Sequence, residues 1–94
     1  MKFLGRTEVV VFLSEHPGHA ETLRAWLTEI QHRDWHSREA LAADFQSVDA
    51  TRPPLAVFRL GRPALLIETL VDFRNGIVLL TEIRMATELE PLVN

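Results

Sequence analysis

Residues 64–84 read Ala-Leu-Leu-Ile-Glu-Thr-Leu-Val-Asp-Phe-Arg-Asn-Gly-Ile-Val-Leu-Leu-Thr-Glu-Ile-Arg, and the break at Arg74-Asn75-Gly76 decides how the chain is read. An Asn-Gly step between two apolar runs is a strong hairpin signal, because both central residues of a type I′ turn take positive φ. In the strand before it, Leu65, Ile67, Thr69, Val71 and Phe73 share one face and Ala64, Leu66, Glu68, Leu70 and Asp72 share the other. The first set is the predicted core face. Leu55–Leu60 and a turn at Gly61-Arg62-Pro63 add a strand upstream, so residues 55–84 predict a three-stranded antiparallel meander.

The first half has a different texture. Leu23, Trp26, Leu27 and Ile30 recur at i, i+3, i+4 and i+7, with Glu21, Arg24, Thr28 and Gln31 off that stripe, which predicts an amphipathic helix over residues 20–33. Ser37 is placed to cap a second, shorter helix with Glu39 in its first turn, Leu41 and Phe45 on its buried side and its end near Gln46. Residues 9–13, Val-Val-Val-Phe-Leu, favour a strand by β-branched content. Thr7 as a cap, Glu8 in a first turn and Pro17-Gly18 after the run frame a helix instead. The tail 86–92 reads as a short helix or an extended arm.

Composition narrows the function classes. The chain has 94 residues, 47% of them hydrophobic, enough for one domain spanning 1–94 with one core. It has no cysteine, so disulfides, thiolate nucleophiles and cysteine zinc sites are all excluded. No apolar run approaches the roughly 20 residues that span a bilayer, and Arg6, Glu8 and Glu15 interrupt the N-terminal apolar segment, so a cytoplasmic protein is expected. The net charge of −3 lies wholly in residues 1–50, so neither half is a basic arm for nucleic acid.

The groups that could carry chemistry are scattered. His16 and His19 are three apart and His32 and His36 four apart, yet no third ligand has a fixed spacing, so no metal and no cofactor is expected. His36, beside Trp35 and just before a helix start, is a candidate acid/base or phosphate contact. Arg59, Arg62, Arg74 and Arg84 are candidate phosphate ligands, and Glu82 shares a strand face with Arg84. Leu66 and Leu70 are apolar on a face where a half-exposed strand carries polar groups, which makes them candidate partner contacts.

The order of these pieces resembles the HigB family of bacterial type II toxins, which have the RelE-like fold. The likeness covers residues 8–90, and its anchors are His16-Pro17, Leu23-Arg24-Ala25-Trp26, Asp34-Trp35-His36-Ser37, Phe45 with Ser47 and Asp49, Val57-Phe58, and Arg74-Asn75-Gly76-Ile77-Val78. The resemblance implies an α+β domain: a short strand near Lys2–Leu4, a helix over Thr7–Glu15, N-terminal helices packed on a small antiparallel sheet, a C-terminal meander, and a last segment closing one edge. It implies a ribosome-associated mRNA endoribonuclease, in which a ribose 2′-hydroxyl attacks the adjacent phosphate. Its implied partner is a HigA-like antitoxin with a helix-turn-helix domain, and the free chain is expected to be a monomer or weak dimer.

The departures from the family pattern fall where that chemistry belongs. Arg59 follows Phe58 where the family has asparagine, Leu66 stands in place of a strand arginine, and Ala86 and Leu89 replace a histidine and a tyrosine. Two functions follow. The first is a nuclease that uses Arg59, Arg62 and Arg84 on phosphate, with Glu82 or His36 moving the proton. The second is a catalytically inactive RelE-like domain that binds a protein through the surface around Leu66 and Leu70.

Overall fold

A short strand opens the fold, and alternation is what makes it one. Lys2 and Leu4 point out while Phe3 turns inward and meets the Trp26 ring edge-on, with centroids 5.8 Å apart. The computed structural model describes residues 1–45 and 47–86. In it β1 (Lys2–Leu4) is followed by α1 (Arg6–Glu15), a 3-10 turn (Pro17–His19), α2 (Ala20–His32), α3 (Arg38–Asp44), β2 (Val48–Asp49), β3 (Leu55–Leu60), β4 (Leu65–Asp72) and β5 (Ile77–Met85). The result is an α+β domain in which helices cover one face of a five-stranded sheet of order β1-β5-β4-β3-β2.

The sheet is mixed, which corrects the expectation of an antiparallel one. The meander β3-β4-β5 pairs antiparallel as expected, and the two-residue β2 extends it, but β1 runs parallel to β5 with Phe3 beside Val78. Parallel neighbours need a crossover connection, and the helical segment between β1 and β2 gives the chain the length to return to the other edge of the sheet.

Residues 6–15 are helical, so the local preference of Val9–Leu13 for a strand is overridden. The cause lies just upstream. Gly5 has φ 122°, and it turns the chain off β1 so that its carbonyl accepts from the amides of Glu8 and Val9. Gly5, not Thr7, is the N-cap residue, and Phe12 is buried while Val10 and Val11 stay exposed. Burial of one face thus decides the conformation against β-branched propensity.

The expected α2 and the Ser37 cap hold, while α3 ends at Asp44, short of the expected end near Gln46, which lies outside the described residues. The α2 stripe buries Leu23, Trp26 and Ile30. The Trp26 ring meets Phe58 edge-on at 5.3 Å, and Phe58 in turn meets Phe45 at 5.1 Å. Ser37 caps α3, its Oγ accepting from the Ala40 amide at 3.1 Å, while Phe45 follows the helix and packs against the core. The core face of β4 is the predicted one: Leu65, Ile67, Thr69 and Val71 are buried and Phe73 packs against the cluster.

Two features of the hairpin were not anticipated. The β4-β5 loop has four residues, Phe73 to Gly76, because Asp72 pairs with Ile77. Its Asn75 does not have positive φ; Gly76 does, at 68°, and the Asp72 carboxylate takes the Asn75 amide and side chain at 3.0 and 2.8 Å. A side-chain-capped turn therefore replaces the two-residue type I′ turn. The second feature is a β-bulge. Thr69 pairs with Leu80 but Glu68 pairs with Glu82, which leaves Thr81 as the extra residue.

The tail expected over 86–92 lies outside the described residues apart from Ala86, whose amide donates to the Ala64 carbonyl. Leu89 lies outside them too. Among the described residues no helix is long and apolar enough to cross a membrane.

Candidate functional site on the open sheet face

The bulge at Thr81 decides which side chains of β5 reach the face opposite the helices. Strict alternation from the buried Val78 and Leu80 would send Glu82 and Arg84 into the core and Ile83 and Met85 outward. One extra residue reverses this. Ile83 and Met85 pack against the core, while Glu82 and Arg84 stand outward opposite Glu68 and Leu66. The Thr81 hydroxyl donates to the Glu68 carbonyl at 3.1 Å across the irregularity.

The outward face is organised in rows that cross the strands. Arg59, Leu66 and Arg84 form one, with Leu66 in the middle and an arginine in register on each side. Beside it run Asp49, Val57, Glu68 and Glu82. The next row is apolar: Leu55, Leu70, Leu79 and Leu4, one residue from each of four strands. Beyond it lie Asp72, Ile77 and Lys2.

Two of the arginines proposed for phosphate contact are therefore neighbours across Leu66. Their backbones are separated by two strand spacings, about 10 Å, so two flexible guanidinium side chains can reach one phosphate placed over Leu66. Glu82 pairs with Arg84 at 3.2 Å and faces Glu68 on the next strand. Arg62 lies in the turn between β3 and β4, at the same end of the sheet. Arg74 does not join them. It lies in the β4-β5 loop, more than about 20 Å along the strands from Leu66.

His36 also stands apart. It is exposed in the loop between α2 and α3, in the helix layer, whereas the arginine row is on the opposite face of the sheet. Its neighbour Trp35 is buried, with Nε1–H donating to Asp44 Oδ2 at 2.6 Å. That bond, with the Arg33 guanidinium at 3.2 Å, holds the Asp44 carboxyl below its ordinary range. His16 stacks on Phe12 with ring centroids 4.6 Å apart, and His32 Nδ1 lies 2.9 Å from the Thr28 carbonyl. Among the described residues no three His, Asp or Glu side chains converge as a metal site.

Leu66 is half-buried between its arginines, and Leu70 is 39% exposed. The other members of the leucine row were not singled out by sequence reasoning. Leu79 is legible as an outward residue by alternation from Val78. Leu4 joins the row only through the parallel pairing of β1 with β5, which leaves no local signal.

The sequence matches no protein-family model and no curated protein.

Proposed function

We propose that the chain is a HigB-like toxin with a RelE-like fold, a ribosome-associated mRNA endoribonuclease neutralised by a HigA-like antitoxin. The observation that carries the reading is the pair Arg59 and Arg84 flanking Leu66 on the sheet face opposite the helices, with Glu82 beside Arg84. The order of elements supports it, since a first strand at Lys2–Leu4, helices and then a meander is what the resemblance implies.

The chemistry assigned to these groups is phosphoryl transfer within the RNA. The ribose 2′-oxygen bonds to phosphorus, the bond to the 5′-oxygen breaks, and a 2′,3′-cyclic phosphate and a 5′-hydroxyl result. Arg59 and Arg84 hold the non-bridging oxygens as charge grows on them. Glu82 accepts the 2′-hydroxyl proton, and water supplies the proton for the departing oxygen. Leu66 gives the site a dry floor, in place of the arginine the family would present.

Induced expression should arrest growth and cut ribosome-bound messages, and the double substitution Arg59→Ala with Arg84→Ala should remove both effects. Growth arrest without cleavage of messages would contradict the reading.

A second reading, a catalytically inactive RelE-like domain that binds protein, is favoured by a different observation: the row of leucines beside the site. Under it Leu66→Glu abolishes complex formation with the partner while the monomer stays folded. Unchanged affinity would remove Leu66 from that surface.

A further inference from the structure

We infer that the row Leu4, Leu79, Leu70 and Leu55 is the docking surface for one amphipathic helix of a partner protein, with acidic side chains along one edge of its apolar stripe and basic ones along the other. The inference deepens the protein-binding reading and does not depend on nuclease activity.

The apolar character of the row is not dispersed. Leu4, Leu70 and Leu79 keep 41, 39 and 39% of their surface in water, and they are three of the five exposed large hydrophobic residues among the described ones. Register places all three in one line with the half-buried Leu55. At the strand spacing of roughly 4.8 Å, four residues span about 14 Å, the length of a helix of about ten residues. Pro53, Pro54, Ile77 and Phe73 wall the depression at one side.

Size and charge select the occupant. Three partly exposed leucines fall well short of the roughly 800 Å² per partner of a standard interface, so a second copy is disfavoured and a single helix fits. A helix also satisfies its own backbone hydrogen bonds over an apolar strip. The two edges of the row differ in sign. On one side are Glu82, paired with Arg84 at 3.2 Å, and Glu68, which has no ion-pair partner among the described residues. On the other are two cations, Lys2, in register with Ile77, and Arg74, against one carboxylate, Asp72, which accepts from Asn75, so this edge is net positive. Phosphate backbone would meet the carboxylates at the centre of the sheet, so RNA is not the occupant of this row.

The test uses the full chain and three synthetic 14-residue helices that share one leucine stripe. One carries Glu along one edge and Lys along the other, one carries Glu on both edges, and one Lys on both. The mixed peptide should bind at least about threefold tighter than either uniform one, as rim charges allow. Leu79→Asp should abolish that binding and leave message cleavage, where present, intact. Equal affinities, no binding, a dimer in sedimentation, or leucine methyl contacts to residues beyond Ala86 in the free chain would each overturn the inference. Loss of cleavage in Arg59→Ala with peptide binding retained would separate this surface from the nuclease site.

Discussion

Arg84 stands directly across from Leu66 on the sheet face opposite the helices, and it does so because Thr81 is an extra residue in β5. With Thr81 in regular alternation the guanidinium would instead turn inward beside the buried Leu65. A chain lacking Thr81 should therefore still fold, because Glu82 then follows Leu80 in regular alternation and Glu82 and Arg84 stay outward while Ile83 and Met85 stay inward. Circular dichroism of the deletion variant should show a cooperative melting transition, as should Thr81→Ala; loss of the transition on deletion would contradict the assigned register.

The rows make a graded prediction for the arginines. Arg59→Ala and Arg84→Ala should each weaken binding of a single-stranded RNA oligomer and lower the slope of log K against log salt by about 0.7, the value for one lost phosphate contact. Arg74→Ala, at the other end of the strands, should leave that slope unchanged. A salt titration by fluorescence anisotropy distinguishes the positions.

Gly5 holds the turn from β1 into α1 at φ 122°, and a Cβ there would lie 2.8 Å from the Leu80 Cβ. Gly5→Ala should cost more than about 1 kcal/mol, because backbone strain and the close approach add. Denaturant unfolding should show the loss as a lower midpoint with an unchanged slope.

The two tryptophans should respond differently to phenylalanine. Trp35 donates its indole proton to Asp44, whereas the buried Trp26 Nε1 has no acceptor among the described residues. An unpaired buried donor costs about 1–3 kcal/mol, which Trp26→Phe removes while it also loses contacts with Phe3 and Phe58. Trp35→Phe should be the more damaging change, and comparison of the two melting temperatures checks it.

Asp44 also sets an acid limit. Its carboxyl titrates below the ordinary 3.8, chiefly through the Trp35 bond and then Arg33. The unfolded chain then binds the proton more readily than the folded one. The stability this group contributes is present above about pH 4 and is lost as pH falls through the lowered value. Asp44→Asn should flatten the pH dependence of stability in that acid window and change nothing in its shape near pH 7.

Much of this architecture was legible from period and punctuation. The stripe Leu23, Trp26 and Ile30, the Ser37 cap and the alternation of Leu65, Ile67, Thr69 and Val71 report local rules that tertiary packing left in force. The misses share a cause. Helix α1 depends on Gly5 and on Phe12 finding the core, so its valines point to the wrong element when read alone. The parallel partner of β1 is a contact across more than 70 residues of sequence, and no local pattern carries it.

The candidate site was legible in its residues and not in its geometry. Glu82 and Arg84 share a face by spacing alone, but which face depends on Thr81. Its signal is the shift from Val78 and Leu80 to Ile83 and Met85, a change of parity within one strand. Arg74 and His36 were drawn in by residue type, and the sheet places both far from Leu66.

The most direct test of the central claim is primer-extension mapping of ribosome-bound messages after induction of the wild-type chain and of the Arg59→Ala, Arg84→Ala double variant. New 5′ ends within coding sequence for the wild type, absent for the double variant at equal protein level, are the predicted result. Growth arrest with unbroken messages, or breaks that persist in the double variant, would contradict it.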